Sequence, residues 1–307
     1  MSLTTIRVTV GRILLVAGIL ILMFIPYLLW GTGLITARNQ SVLTRQFREA
    51  QQKSHSHPAT TIATPPHHTT PPVPQVAPTI ADPPIGSPVG TIQIPKINLS
   101  MTVVEGTAEA QLAMGPGHYP STPLPGEAGN AAIAGHRTTY LHPFYSLDAL
   151  TSGDLIYITT LQGTFLYQVY KSQVVLPTDV AVVDPTPNPQ LTLTTCNPRY
   201  SASQRLVVNA NLVASELAHP TSTPVADVKP HHHTGQLADA TATAGKDWLP
   251  AILWGVLVAA LATGVWMVVL RTHRLRRALT IVGGVLVWLV VVFFFFQAVT
   301  PLLPASY

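Results

Sequence analysis

The sequence has a single cysteine in 307 residues. That excludes a disulfide framework within the chain and any zinc site built on two or four cysteines. Charge is also scarce. Asp, Glu, Lys and Arg make up 10% of the residues, where an ordinary soluble domain carries roughly 25%. The 47% hydrophobic residues and the mean hydropathy of +0.33 argue against a plain cytosolic domain. No internal repeat of solenoid length is present. The net charge of +4 comes mostly from arginines beside apolar runs, which points to membrane topology and away from nucleic acid. The 28 prolines argue against one continuous packed fold.

Three apolar runs are present. The first, Ile13 to Trp30, follows Arg7 and Arg12 and contains no charge. It is longer than a usual signal-peptide core, and no A-x-A cleavage site follows, so it reads as an uncleaved anchor. The second runs from Trp248 to Leu270 and the third from about Ala278 to Val299. Arg271, Arg274, Arg276 and Arg277 lie between them, and the positive-inside rule puts this basic loop in the cytoplasm with Arg7 and Arg12. Both runs are apolar on all faces and carry Trp248, Trp254, Trp266 and Trp288, which favours spans over a buried helix pair. The expectation is a multi-pass protein of the cell membrane, with the large central segment outside.

That arrangement divides the chain into seven parts. Residues 1–35 are a cytoplasmic tip and anchor. Residues 36–89 are a linker, clearest over 51–89, where Pro, Thr, Ala and His dominate. A Pro-rich stretch of that kind reaches on the order of 100 Å at roughly 3.1 Å per residue. Residues 90–214 are one small domain. Residues 215–247 are a second linker, whose His231, His232 and His233 lack carboxylate or cysteine support and read as solvated, not as a metal site. Residues 248–270 and 278–300 are the spans flanking the loop 271–277.

Within 90–214 the pattern is β. Short alternating or β-branched runs occur at 91–94, 101–104, 130–133, 155–158, 164–170, 191–194 and 205–208, separated by Pro and Gly. Helical spacing is confined to Glu109–Leu112 and Tyr145–Leu150. This predicts an antiparallel β-barrel or sandwich with short helices. Cys196 closes one run, at a strand end and not in deep core. A lone cysteine is ordinarily a small buried hydrophobe; as a nucleophile it needs a base and a positive partner. Arg205 opens the next run, and antiparallel strands joined by a loop of this length can set Cys196 and Arg205 side by side. His136 follows Gly135 at the end of another run. Spacing alone does not bring His136 to the other two.

Together these residues resemble the sortases, membrane-anchored cysteine transpeptidases of Gram-positive bacteria. Thr192-Leu-Thr-Thr-Cys196 with Arg205 is similar to the sortase TLxTC…R signature, Gly135-His136 to its histidine motif, and Ile94-Pro-Lys-Ile97 to its opening strands. Gly115-Pro-Gly-His-Tyr-Pro120, Gly129 to Tyr140 with Pro143-Phe144, and Cys196-Asn-Pro-Arg-Tyr-Ser-Ala202 resemble class E, common in high-GC actinobacteria. The resemblance implies a closed sortase barrel of about eight strands, mostly β, beside transmembrane helices. It implies Cys196 as nucleophile, His136 as acid and base, Arg205 as oxyanion donor, and Thr195 and Tyr140 as substrate contacts. It implies cleavage of an LPxTG-like signal, with class E favouring LAxTG, between Thr and Gly through a thioacyl enzyme. The partners implied are secreted proteins bearing the signal and an amine of a peptidoglycan precursor, or a pilin lysine. No cofactor, metal or nucleic acid is expected.

The chain departs from the resemblance in two places. Leu141-His142 stands where relatives place a small residue before Pro-Phe, and His142 reads as a solvated loop position. Two C-terminal spans are added to an enzyme type that usually has only an N-terminal anchor. Some sortases do carry C-terminal spans, often pilin-polymerising ones, so pilin polymerisation stays open. So does a non-enzymatic anchored scaffold on the same fold, although a scaffold has no physical need for Cys196, His136 and Arg205 together. An L,D-transpeptidase also joins a His and a Cys at a β-rich site, but its cysteine motif differs.

Overall fold

A computed structural model of the chain describes residues 3–55, 75–217, 248–271 and 274–302. Residues 56–74 of the first linker and 218–247 of the second, which include His231–His233, lie outside the described residues. The chain forms two units, one of Met1–Gly31 with Thr243–Ala305 and one of Thr32–Ala242.

In the first unit, helix α1 (Leu3–Pro26) leads into a π-helical turn at Tyr27–Gly31, and helices α4 (Leu249–Arg271) and α5 (Arg274–Val299) come from the far end of the chain. Tyr27, Val258, Val291, Val292 and Phe296 pack together at their centre. Leu249–Val268 and Ile281–Val299 are 20 and 19 residues long and apolar enough to cross a membrane, at about 1.5 Å of rise per residue. In α1 the described apolar stretch is the shorter Leu14–Pro26. Leu253 and Val256 on α4 and Leu286 and Val290 on α5 turn outward, a surface that water does not favour.

The second unit is a closed barrel of eight strands in the order β1-β2-β3-β4-β7-β8-β6-β5. The strands are β1 Pro88–Ile94, β2 Leu99–Glu105, β3 Gly117–His118, β4 Asn130–Ala134, β5 Leu155–Thr160, β6 Gly163–Val175, β7 Gln190–Asn197 and β8 Gln204–Leu217. Each expected run falls in one of them. Two junctions, β2 with β3 and β4 with β7, are parallel, so the barrel is not wholly antiparallel as its sequence suggests. Period-two alternation builds the interior: Ile156 and Ile158 on β5 and Phe165, Tyr167 and Val169 on β6 all point inward and are essentially inaccessible. Burying each such side chain stabilises the fold by about 1.5–3 kcal/mol. β4 reads Asn-Ala-Ala-Ile-Ala and is buried on both faces, its small residues leaving room for a second cluster of Leu112, Tyr119 and Val183. Helix α3 (Glu109–Leu112) and a 3₁₀ turn at Leu147–Ala149 occupy the expected short helical pieces.

Helix α2 (Thr32–His55) belongs to this unit, and most of it lies where the sequence suggests linker. Its reason is an incomplete strand edge. β2 meets β3 over only two residue pairs, Val104 with Gly117 and Glu105 with His118, so the backbone of Thr102 has no strand on that side. The Gln40 amide takes the strand's place. Its Oε1 accepts from Thr102 N–H at 2.8 Å, and its Nε2 donates to the carbonyls of Thr102 and Met114, both at 2.9 Å. Thr36 donates to the Ala113 carbonyl at 2.9 Å, and Leu43 and Phe47 are buried. A buried strand edge without partners is costly, and α2 removes that cost.

The short β2–β3 junction is reinforced by a fully buried pair. His118 Nδ1 lies 2.8 Å from Glu105 Oε2, and both side chains are wholly inaccessible. His118 Nε2 faces the Pro123 carbonyl at 3.0 Å, which can only accept, so Nε2 carries a proton. Removing one partner of such a pair strands the other, which costs about 3–5 kcal/mol, whereas replacing both with apolar residues is close to neutral. His118→Leu should therefore destabilise the full chain in detergent far more than the double replacement Glu105→Leu with His118→Leu, read by thermal melting in near-UV circular dichroism. A single variant as stable as the double would refute the pairing.

Candidate active site

The site stands at one end of the β4–β7 junction. β4 and β7 run parallel with Ala132 opposite Thr192 and Ala134 opposite Thr194. Two residues further on, His136 stands just past the end of β4, and Cys196 stands at the same level, still within β7. Hydrogen bonds carry the junction past the last strand pair. Gly135 N–H donates to the Thr194 carbonyl at 3.0 Å, and Thr195 Oγ1 donates to the Gly135 carbonyl at 2.7 Å. Gly135 is required there: a Cβ on it would stand 2.6 Å from Cδ2 of the buried Phe144.

Cys196 is directly opposite Arg205 in the antiparallel β7–β8 pair, as the short connecting loop predicts. The cysteine is half-buried and Arg205 buried. Arg205 Nη1 donates to the carbonyls of Ala202 and Gln204, at 2.9 and 3.1 Å, which holds the side chain in place. Its Nε and Nη2 make no hydrogen bond among the described residues, so both remain to donate to an incoming oxygen.

Arg137, which sequence reasoning passed over, lies in the same place. It is 3% exposed. Its Nη1 donates to the Cys196 carbonyl at 3.1 Å and to Asn197 Oδ1 at 2.7 Å, and its Nη2 pairs with Asp148 at 3.1 Å. Asp148 also receives both bonds of Arg199 Nη2, at 2.9 and 3.0 Å, and the Arg199 guanidinium lies 4.5 Å from the Tyr145 ring. Arg137 thus ties the histidine loop to the cysteine strand. The only signal for it in the sequence is its place directly after His136 in a chain poor in charge.

The thiol feels opposed effects. Burial pushes the Cys196 pKa up, and the Arg205 and Arg137 guanidiniums pull it back without cancelling the shift. Two nearby cations would be expected to give a thiolate at rest, but desolvation outweighs them.

The remaining residues singled out in the sequence fall around this centre. The Tyr140 ring lies 4.9 Å from the His136 ring at a tilt of 33°. Tyr140, Leu141 and His142 all have left-handed backbones, with φ of 52°, 61° and 38°. His142 is exposed and meets the Tyr145 ring edge-on at 5.4 Å. Thr195 is 3% exposed, with its hydroxyl proton committed to the Gly135 carbonyl.

The family model for the sortase domain matches residues 92–213. Sortase SrtE1 of Streptomyces coelicolor is 28% identical over 222 residues, covering 66% of this chain and 56% of its own length. A Bacillus subtilis protein named as a sortase, YwpE, is 31% identical over 88 residues, covering 28% of this chain and 86% of its own. The solved structure of sortase E from Streptomyces avermitilis is 36% identical, covering 44% of this chain and 96% of that one, with a TM-score of 0.41. The chain spans little more than half the length of SrtE1 and of the Bacillus subtilis sortase D, 56% and 58%. On the sortase-domain match across the barrel, and with most of YwpE covered at this identity, the chain belongs to the sortase family.

Proposed function

We propose that the barrel is a cysteine transpeptidase that cuts an LPxTG-like signal, most suitably LAxTG, between Thr and Gly. The observation that carries the reading is the pairing of Cys196 with Arg205 across β7 and β8, level with the strand end that bears His136. Cys196 gives its proton to His136, and the thiolate attacks the threonine carbonyl carbon. Arg205 Nε and Nη2 donate to the oxygen as its charge develops. The carbon–nitrogen bond breaks, His136 returns its proton to the leaving glycine amine, and a thioester is left on Cys196. An incoming amine then loses a proton to His136 and attacks the thioester, and Cys196 departs.

Tyr140, whose ring lies beside that of His136, contacts the signal residue after its leading leucine. Thr195 braces the two strand ends from beneath; its burial and its bond to Gly135 favour that role over contact with substrate. The curated relatives named SrtE1 and SrtE2 support the class E preference, and with it a peptidoglycan-precursor amine as acceptor. The barrel is held outside the cell by a multi-pass anchor. Arg7, Arg12 and the arginines of the 271–277 stretch lie on the cytoplasmic side, as the positive-inside rule requires.

The test uses the full chain in detergent with quenched LAxTG and LPxTG peptides. Cleavage at Thr–Gly should vanish in Cys196→Ala and fall by roughly 10²-fold in Arg205→Lys, because a point ammonium cannot present a planar fork of donors. Cleavage that survives Cys196→Ala would refute the mechanism. Added amines then separate wall anchoring from pilin assembly, since only a lysine-bearing protein acceptor gives covalent ladders.

Because Cys196 is the sole cysteine, its alkylation by iodoacetamide reports its own ionisation. The rate should rise with pH through a midpoint above that of a free thiol, and Arg205→Gln should move the midpoint further up. A midpoint below the free-thiol value would show that the guanidiniums, and not burial, dominate.

A further inference from the structure

Three consecutive bulky residues with positive φ, Tyr140 to His142, form a conformation that L-amino acids keep only when their surroundings hold them there. Part of that hold comes from the start of helix α2. Tyr140 N–H donates to Thr32 Oγ1 at 3.3 Å, and Thr32 is 1% exposed. One residue on, a Cβ at Gly33 would stand 3.1 Å from Leu141 Cδ2, so the missing side chain gives Leu141 its seat on the helix. α2 is in turn fixed to the barrel by Thr36 on the Ala113 carbonyl and by Gln40 on Thr102. A chain of contacts therefore runs from the barrel wall through α2 to the loop whose Tyr140 ring lies against His136.

We propose that Thr32 and Gly33 are positioning residues for the peptide-cleaving site. The first turn of α2 holds the 140–142 loop in its left-handed form and so sets Tyr140 beside His136. Neither residue touches the reacting atoms, and the inference rests on the transpeptidase reading. It makes a segment that begins directly after the π-helical turn part of the substrate site, though it lies about a hundred residues before the histidine in sequence.

The experiment compares the full wild-type chain in detergent with Thr32→Val, which keeps the side chain's shape and removes the acceptor, and with Thr32→Ser, which keeps the acceptor. Gly33→Val is a second, independent variant that displaces Leu141. Hydrogen exchange read by mass spectrometry over residues 138–145 and peptide kinetics are both measured. In Thr32→Val and Gly33→Val, exchange over 138–145 should quicken while β7 and β8 stay unchanged. kcat/KM for LAxTG should fall about three- to tenfold, the loss expected for one net backbone hydrogen bond, mainly through KM. Cys196 alkylation should keep its wild-type rate, and Thr32→Ser should restore both exchange and KM. Unchanged exchange would overturn the proposal, as would faster exchange with wild-type kinetics, or an equal loss in Thr32→Ser. A wild-type chain that cleaves neither peptide would instead refute the transpeptidase reading, and the exchange measurement, which needs no turnover, would still decide whether α2 holds the loop.

Discussion

β4 and β7 run side by side in the same direction, β4 ending at Ala134 opposite Thr194 while β7 runs on to Asn197, and the Thr195 hydroxyl bonds the Gly135 carbonyl just beyond that last pair. Everything at the site follows from that junction. Parallel strands bring both C-terminal ends to one end of a sheet, where antiparallel strands would send them to opposite ends. His136 and Cys196, sixty positions apart in sequence, therefore emerge together. The antiparallel β7–β8 hairpin adds Arg205 from the other side. The close packing of Phe144 against Gly135 fixes the backbone from which His136 departs, so the histidine's place is set by core packing as much as by hydrogen bonds.

The electrostatics of the site are a balance between burial and charge. The barrel end shields the thiol from water, which disfavours the thiolate, and Arg205 and Arg137 offset part of that penalty. Arg137 is itself buried, and Asp148 and the carbonyl oxygen of Cys196 offset the cost of holding its charge there. The same contacts that neutralise it also join the histidine loop to the cysteine strand. Charge compensation and positioning are done by one side chain, so a change at Arg137 alters both.

Where hydrophobic alternation was long enough to show, the strands were legible, from β5 with its inward Ile156 and Ile158 to β6 with Phe165 and Tyr167. β3 was not, because two residues, Gly117 and His118, carry no period. Helix α2 was hidden for another reason. Its inward stripe is Thr32, Thr36, Gln40, Leu43 and Phe47, helical in spacing but mostly polar, since its task is to satisfy a strand's backbone more than to bury apolar surface. The facing of Cys196 and Arg205 followed from a short loop between antiparallel strands. The approach of His136 did not, because parallel register over sixty residues leaves no local mark. Arg137 was missed for the same reason: its partners, Asn197 and Asp148, belong to strands and turns that only the closed barrel brings near.

The central claim is that the residues at this junction make a thioester on Cys196. Hydroxylamine tests it directly, since it is a small amine that attacks thioesters faster than water does. In a reaction of the full chain with an LAxTG peptide, added hydroxylamine should divert the product from the free acid to the threonine hydroxamate. Acid-quenched intact-mass spectra should show the chain carrying the peptide up to its threonine, and neither species should form with Cys196→Ala. Cleavage at Thr–Gly that gives only the free acid, with no hydroxamate and no adduct on the chain, would contradict the account.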